Sequence, residues 1–311
     1  MRRDVLAALA QTSVSAALWG TSFPVISVAL KGGLSPGAFV FLRFALAAPV
    51  MLLAVLALGR DPWRLFKDRM VWAVAFFDAV GFLCQFIGQQ YTSASVAALL
   101  VNLSVVLAAI GGAVFLGERL GAYKVAGVVL AFGGTALIAT GGSLSGLAEG
   151  ELLGDALYVA AALAWAGYIV CAKRGTDNRG WDPVAVSACI VSLTAVFVLP
   201  AALAAGTWEQ MSIASWEAIG YTAVFNTAIA FVLYQLGLKR LSAGSSAIVL
   251  MLEIVVAVAI SVALLGESFT PLAALGAAAI LASILLVSGV EARGKSLSVA
   301  VSGAGGAQGS V

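Results

Sequence analysis

The sequence predicts an all-α integral membrane protein in which ten transmembrane helices form two inverted five-helix repeats around a central cavity. Three observations predict this fold class. First, 62% of the 311 residues are hydrophobic and only 10% are charged, whereas soluble domains are about half apolar and about a quarter charged. Second, apolar segments long enough to cross a bilayer recur along the whole chain. Third, part of the first half of the chain is similar to part of the second.

The apolar segments define ten spans of about 18 residues or more, the length that a bilayer requires. The connections between them are short and carry turn residues or charges. The spans predict two domains, 1–147 and 148–290, and the Ser- and Gly-rich end at 291–311 predicts a disordered cytoplasmic tail. The spans cover residues 7–30, 36–58, 70–89, 94–116, 122–141, 152–172, 183–205, 216–238, 243–265 and 271–290.

The basic residues predict the orientation of the spans. When the loops are assigned alternately to the two sides of the membrane, 15 of the 17 Lys and Arg residues fall on one side. Lys31 falls on the other side, and Arg43 lies inside span two. Because positively charged loops stay in the cytoplasm, both termini are predicted to be cytoplasmic.

An internal repeat relates the two halves. A shift of 149 residues aligns residues 88–127 with 237–276 and gives eleven identities over 40 positions. The most specific shared motif is Leu-Gly-Glu, at 116–118 and 265–267. Five spans per half is an odd number, so the second half enters the membrane with the opposite orientation. Inverted repeats of this kind are typical of secondary transporters, and a duplication kept only for structure is the alternative.

Several short motifs add a family resemblance over about residues 10–290. In their order and in the five-plus-five layout, the chain resembles the drug/metabolite transporter superfamily, in its EamA-type branch of ten-span bacterial exporters. The resemblance implies export of amino acids, other metabolites or toxic compounds across the bacterial inner membrane, with the amino-acid exporters as the nearest likeness. The motifs are Trp19-Gly-Thr-Ser-Phe-Pro24, Arg43-Phe44, Tyr91-Thr-Ser-Ala-Ser95, Phe115-Leu-Gly-Glu-Arg119 and Leu264-Leu-Gly-Glu267.

The composition also excludes classes of protein. Histidine is absent, which removes His-ligated metal sites and Ser-His-Asp triads, and no GxxxxGK[ST] nucleotide motif is present. We expect no enzymatic activity, no metal, no cofactor and no nucleic-acid partner. The expected partners are a small-molecule substrate and the lipid bilayer, with a monomer expected and a homodimer left open. Exchange or import of another anionic or drug-like metabolite is the alternative function, and a channel or an intramembrane enzyme is a remote one.

Ionisable residues in the middle of the spans predict where a substrate or a proton binds. A carboxylate at the bilayer centre costs roughly 2.5–3.5 kcal/mol, and Asp78 in span three and Glu253 in span nine have no evident cationic neighbour. We predict that both face the cavity and are the coupling candidates for protons; locking of helices is the alternative. Arg43 is predicted to meet a carboxylate of the protein or of the substrate, unless it extends to the outer interface.

Further polar and aromatic residues at mid-span are predicted to line the cavity. A shift of 146 residues places Trp19 on Trp165, so these two are expected to form symmetry-related walls. Aromatic walls with a few polar groups suit a moderately hydrophobic small molecule, whereas packing or hydrogen bonding to the helix's own turn is the alternative for the polar residues. Glu118 and Glu267 are expected to cap helix N-termini. The cavity candidates are Trp19, Ser22, Gln85, Asn102, Trp165, Tyr168 and Asn226, beside Arg43, Asp78 and Glu253.

Overall fold

The structure is a computed structural model that describes residues 2–141, 152–206, 211–265 and 270–305. Within these ranges every regular element is a helix. Nine helical segments of the described chain are long and apolar enough to cross a membrane. The predicted all-α membrane fold is therefore confirmed.

The helices coincide with the predicted spans to within a few residues at most ends. α7 is the exception near the middle of the chain, since it continues past the predicted end at 172 to Arg179. The helices are α1 (Arg2–Lys31), α2 (Pro36–Ala57), α3 (Trp63–Phe66), α4 (Arg69–Gly88), α5 (Ala94–Leu116), α6 (Ala122–Thr140), α7 (Leu152–Arg179), α8 (Pro183–Ala205), α9 (Ile213–Tyr221), α10 (Ala230–Leu238), α11 (Ala243–Leu250), α12 (Leu252–Leu265) and α13 (Pro271–Gly305).

Local sequence fixes where the helices begin and end. Several begin after a Ser or Asp whose side chain accepts a hydrogen bond from a backbone N–H of the first turn, which satisfies a donor that the helix itself leaves unpaired. Several end at a glycine with positive φ, a conformation that other residues adopt at a cost. The capping side chains belong to Ser35, Asp68, Ser93, Asp182, Ser212 and Ser242, and the terminal glycines are Gly117, Gly141 and Gly206.

Two of the predicted spans are interrupted. Span eight consists of α9 and α10 joined by a π-helical segment, Thr222–Ile229. Span nine breaks at Met251, between α11 and α12. In membrane transporters, interrupted helices bring backbone polar groups and helix ends to the binding site. We therefore expect the functional site to lie near these two interruptions.

Small residues bring α6 and α13 into close contact, as the sequence predicts for spans five and ten. A Cβ atom on Gly134 would lie 2.6 Å from the carbonyl oxygen of Gly276, and one on Gly276 would lie 2.5 Å from that of Gly134. Glycine at both positions therefore lets the two backbones touch. We interpret this pair as a scaffold, whereas α1, α2, α4, α7 and α10 carry the aromatic side chains that meet between the two halves.

The last helix extends into the segment that the sequence predicts to be a tail. α13 continues as a helix to Gly305, past the predicted start of the tail at Glu291. Glu291 accepts hydrogen bonds from Ser242 at 2.8 Å and from Ser245 at 2.6 Å, and the chain has no proline after Pro271 that would stop the helix. The rest of the tail and Glu267 lie outside the described residues.

Candidate functional site

Aromatic side chains from both halves of the chain meet near the middle of their spans. Their ring centroids lie 4.8 to 6.3 Å apart, a range in which aromatic pairs attract each other. Because the rings are in contact, this centre is closed in the structure. We call it the aromatic cluster; it contains Trp19, Phe44, Phe82, Trp165, Tyr168, Phe231 and Tyr234.

The two repeat-related tryptophans make matching contacts across the halves. Trp19 packs edge-to-face on Phe231, with centroids 5.6 Å apart and an 83° angle. Trp165 packs in the same way on Phe82, at 4.8 Å and 87°. Phe82 and Phe231 are themselves 149 residues apart, the shift that relates the repeats. The structure therefore repeats one tryptophan–phenylalanine pair in two places, and each pair joins one half to the other.

The face of α4 predicted to line the cavity packs against α7. A Cβ atom on Gly81 would lie 2.9 Å from the Trp165 ring, so only glycine leaves room for the indole there. Gln85, one turn further along, accepts a hydrogen bond from Trp165 Nε1 at 3.0 Å. The predicted residues Gln85 and Trp165 thus lie together, beside the aromatic cluster.

Arg43 is buried in the centre, with 1% of its surface exposed. Its Nε donates to Thr227 Oγ1 at 2.7 Å, and its Nη2 donates to the Asn226 carbonyl at 3.1 Å. The guanidinium carbon lies 4.8 Å from the centroid of Phe82 and 5.4 Å from that of Phe44, close enough for cation–π attraction. Extension of Arg43 to the outer interface, one of the alternatives from the sequence, is therefore wrong.

The π-helical segment holds Arg43 and Trp19 in place. The carbonyl of Asn226 within it accepts from Trp19 Nε1 at 2.8 Å as well as from Arg43. The Asn226 amide donates to the carbonyl of Leu18 and, at 3.2 Å, to Thr21 Oγ1. π-helical turns are rare and occur frequently at functional sites. Asn226 thereby joins α1 and α2 to span eight.

Asp78 is fully buried, and only one of its two carboxylate oxygens has a hydrogen-bond partner among the described residues. Its Oδ2 accepts from Thr194 Oγ1 at 2.9 Å, while its Oδ1 has no hydrogen-bond partner within the described ranges. Arg43 lies over the Phe82 ring, 4.8 Å from its centroid, and Phe82 follows Asp78 by one turn of α4. Within the described ranges the side chains of Arg43 and Asp78 form no ion pair.

Glu253 lies apart from the aromatic cluster. It is partly buried in the first turn of α12, directly after the break at Met251. The backbone of α1 approaches it closely, since a Cβ atom on Gly20 would lie 2.5 Å from the Glu253 carbonyl. Among the contacts of the described residues its carboxylate has neither a hydrogen bond nor an ion pair. A negative charge in the first turn of a helix is favoured by the helix dipole.

The remaining candidates divide into two groups. Tyr168 belongs to the aromatic cluster, and its hydroxyl accepts from Gln235 Nε2 at 3.2 Å. Asn102 and Ser22 instead donate to carbonyls of their own helices, those of Ala98 and Trp19, both at 2.6 Å. For these two the structure supports hydrogen bonding within the turn, which was the alternative interpretation.

Sequence reasoning missed several residues of this centre. Phe82, Phe231 and Tyr234 are apolar or aromatic residues within long apolar runs, where composition gives no signal. The internal repeat did contain a signal for these three residues, because the 149-residue shift aligns Phe82 with Phe231 and Gln85 with Tyr234. Thr194, Thr227 and Gln235 had no such signal.

Glu118 caps a helix, but one in the opposite half of the chain. Its Oε1 accepts from the backbone N–H of Ala243 at 2.6 Å, at the start of α11. Its Oε2 accepts from Lys124 Nζ at 3.2 Å, and both side chains are largely buried. The sequence predicts that Glu118 stabilises the N-terminus of the helix that follows it, α6, but the N-cap of α6 has no side-chain hydrogen bond. Glu118 instead stabilises the start of α11, and this contact ties the two halves together at one end.

Two ion pairs join loops at the same end. Arg60 lies 2.6 Å from Asp182, and Arg179 lies 2.5 Å from Asp68. Burial acts to raise the pKa of Asp68, but hydrogen bonds from a backbone N–H, from Arg179 and from Trp181 outweigh it and hold the pKa below its usual value. A carboxyl with a lowered folded pKa stabilises the fold above its unfolded pKa and loses that contribution as the pH falls through the folded value.

Comparison with known proteins matches most of the chain. The model of the EamA-like transporter family matches twice, over residues 7–140 and over 152–289, so each half is a copy of one unit. A solved crystal structure aligns with a TM-score of 0.79 at 21% identity, over 92% of this chain and 98% of the other. That likeness supports the fold.

Relatives in sequence are named as transporters. A probable terminal-alkyne amino-acid exporter of Streptantibioticus cattleyicolor is 29% identical over 86% of this chain and 89% of its own. An uncharacterized transporter of Archaeoglobus fulgidus is 31% identical over 88% of this chain and 83% of its own. The threonine/homoserine exporter RhtA of Escherichia coli is 31% identical over 43% of this chain and 44% of its own.

Proposed function

Since this chain belongs to the EamA-like transporter family, within the drug/metabolite transporter superfamily, we propose that it exports small amino acids across the bacterial inner membrane. The chain is a multi-pass membrane transporter and not an enzyme. Amino acids are the proposed substrates because two of its relatives are named as amino-acid exporters. Alternating access is the proposed mechanism, with the substrate bound between the two repeats.

One observation carries this mechanism. The edge-to-face pairs Trp19–Phe231 and Trp165–Phe82 each join one half to the other. When two halves rock against each other, one such pair separates while its symmetry mate stays closed. The aromatic cluster therefore opens toward one side of the membrane at a time. The rings that separate then form an apolar wall for the substrate.

The proposed energy source is a proton gradient, with the two mid-span carboxylates as coupling candidates. Asp78 accepts a hydrogen bond from Thr194 at 2.9 Å and lies one helical turn from Phe82 of the aromatic cluster, which suits a role in binding the substrate. Glu253 has no partner among the described residues and follows the break at Met251. Of the two, we assign proton carriage to Glu253.

Transport by the purified protein tests this function. In proteoliposomes loaded with labelled threonine or leucine, the wild type should show efflux and exchange that protein-free liposomes lack. Trp19→Ala and Trp165→Ala should each lower transport about tenfold or more, because loss of a well-packed aromatic wall costs roughly 1.5 kcal/mol beyond its area. Trp216→Ala is the matched control, since Trp216 is half exposed on α9 and should transport normally.

Two results would count against the proposal. If neither amino acid moves faster than through protein-free liposomes, amino-acid export is wrong. If both tryptophan variants fold and transport like the Trp216→Ala control, the substrate binds elsewhere. Stronger transport of a phosphate ester or a dicarboxylate would favour the alternative, an exchanger or importer of anionic metabolites.

A further inference from the structure

Several buried polar atoms in the centre lack a hydrogen-bond partner within the described chain, and two of them, on Asp78 and Gln235, suggest which chemical group the substrate brings. Asp78 Oδ1 and Gln235 Oε1 have no hydrogen-bond partner within the described chain, and the two residues are 0% and 1% exposed. Folded proteins leave few buried polar atoms unpaired, and each exception calls for an explanation. A substrate that donates hydrogen bonds at this place explains both.

We propose that Asp78 and Gln235 bind the ammonium group of a zwitterionic amino acid, while Arg43 binds its carboxylate. The inference rests on the proposed function and names the substrate class of the same site: an α-amino acid with a free ammonium group, a free carboxylate and an apolar side chain. The aromatic cluster receives that side chain.

Each of the two unpaired acceptors belongs to a residue one helical turn from a ring of the aromatic cluster. Gln235 Nε2 donates to the Tyr168 hydroxyl at 3.2 Å, which leaves Oε1 as the free end of the same amide. Along the helices, Asp78 precedes Phe82 by one turn and Gln235 follows Phe231 by one turn, so both lie beside the aromatic cluster. An ammonium group has three donors and a positive charge, which fits two acceptors of which one is anionic.

The charges of Arg43 and Asp78 are arranged for a zwitterion. Arg43 lies 4.8 Å from the centroid of Phe82, one helical turn from Asp78, and the two charged side chains form no direct ion pair within the described ranges. The two observed hydrogen bonds of Arg43 use two of its five guanidinium N–H groups, and a carboxylate is the anion that a guanidinium binds best in planar geometry. A zwitterion between the two residues presents a positive group to Asp78 and a negative group to Arg43.

This arrangement selects against substrates with one charge. An amine without a carboxylate leaves Arg43 without its anion, and a carboxylic acid without an ammonium group leaves Asp78 Oδ1 unpaired. Sites built to hydrogen-bond a polar group discriminate strongly against analogues that lack the group, because buried partners are then left unsatisfied. Discrimination between analogues is therefore the property to measure.

The experiment is counterflow of labelled leucine in proteoliposomes, with three unlabelled competitors. Leucine should compete fully. N-acetylleucine, which lacks the ammonium group, and leucinamide, which lacks the carboxylate, should each need a concentration about tenfold higher or more, because each lacks a charged hydrogen-bonding group. Asp78→Asn and Gln235→Leu should reduce discrimination against N-acetylleucine and keep discrimination against leucinamide. Asp155→Asn, a carboxylate outside the centre that accepts from Thr92 at 2.7 Å, is the matched control and should behave as the wild type.

The outcomes separate this inference from the proposed function. If the wild type transports no leucine or threonine, the proposed function fails. If it transports leucine but N-acetylleucine competes equally well, the ammonium site alone is wrong. Full discrimination in a folded Asp78→Asn protein would overturn the role of Asp78. Gln235→Leu gives an independent answer where Asp78→Asn does not fold, since unchanged discrimination in that variant would also overturn the assignment.

Discussion

At the scale of single residues, a buried charge in a bilayer is costly unless it has partners. Arg43 has two hydrogen-bond acceptors and two aromatic rings around it, and Asp78 accepts a hydrogen bond from Thr194. Glu253 has none of these among the described contacts. These three charged residues all lie inside predicted spans, yet their surroundings differ and so do the chemical roles proposed for them.

We expect Glu253→Gln to uncouple transport from the proton gradient. The amide keeps the shape of the side chain but carries no proton, so uptake or efflux driven by a pH gradient should fall to the passive rate. Exchange of labelled for unlabelled leucine without a gradient should stay within about twofold of the wild type, since Glu253 lies outside the aromatic cluster. Proteoliposome assays with and without an imposed pH gradient measure both modes.

Asp155→Asn is the control for this variant, because it neutralises a carboxylate outside the centre, one that accepts a hydrogen bond from Thr92 at 2.7 Å. If Glu253→Gln keeps gradient-driven transport at the wild-type rate, Glu253 is not the proton carrier. Loss of exchange as well as of driven transport would assign Glu253 to the substrate instead.

The residues show where sequence reasoning succeeds and where it stops. Trp19, Trp165, Arg43 and Asp78 were found because bulky or charged groups in an apolar span are exceptional in composition. Asn102 is equally exceptional in the sequence, yet it donates to Ala98 of its own helix. Burial cost identifies a polar residue that needs a partner, but it does not say whether the partner is a ligand, another helix or the same turn.

At the scale of elements, the spans were predictable and their interruptions were not. A bilayer requires about 20 apolar residues per helix, which fixes the ends of the spans in the sequence. The segment Thr222–Ile229 contains neither proline nor glycine, the residues by which a break is usually recognised. Its π-helical form depends on tertiary contacts, in which Trp19 and Arg43 bind the Asn226 carbonyl.

Glu118 provides the prediction at this scale. We expect Glu118→Gln to lower the stability of the protein by roughly 1–3 kcal/mol, because a buried group loses its charged partner. Lys124 would be left without its carboxylate, and the N-terminus of α11 would lose a charged cap. Thermal unfolding of the detergent-solubilised protein measures the change.

The double variant Glu118→Gln with Lys124→Met should recover part of the loss, because replacing both partners removes the unpaired charge. Asp61→Asn is the control; it removes a partner of Arg64 in an exposed pair, and exposed pairs contribute little. Unfolding of Glu118→Gln at the wild-type temperature would show that the contact does not hold the two halves together.

At the scale of the whole molecule, loop contacts divide into two sets that agree with the predicted alternation. Arg60 with Asp182, Arg179 with Asp68, and Glu118 with Ala243 join loops assigned to one side. At the other end, Thr92 contacts Asp155. The fold therefore groups the loops as the ten spans require. The excess of Lys and Arg at the first of these ends predicts that this end faces the cytoplasm.

Reporter fusions test the orientation. Fusions at 60–68 and at 174–180 should report the cytoplasm, and fusions at 142–150 and at 207–214 should report the outer side. The reason is that 15 of the 17 basic residues fall on the side of the membrane to which the first two loops and both termini are assigned, and positively charged loops stay in the cytoplasm. The ion pairs Arg60–Asp182 and Arg179–Asp68 require that the first two sites give the same answer. Different answers from these two sites would contradict the fold itself. An external signal from both would reverse the orientation and leave the helix packing intact, and the direction of amino-acid movement in the cell would then have to be reassigned with it.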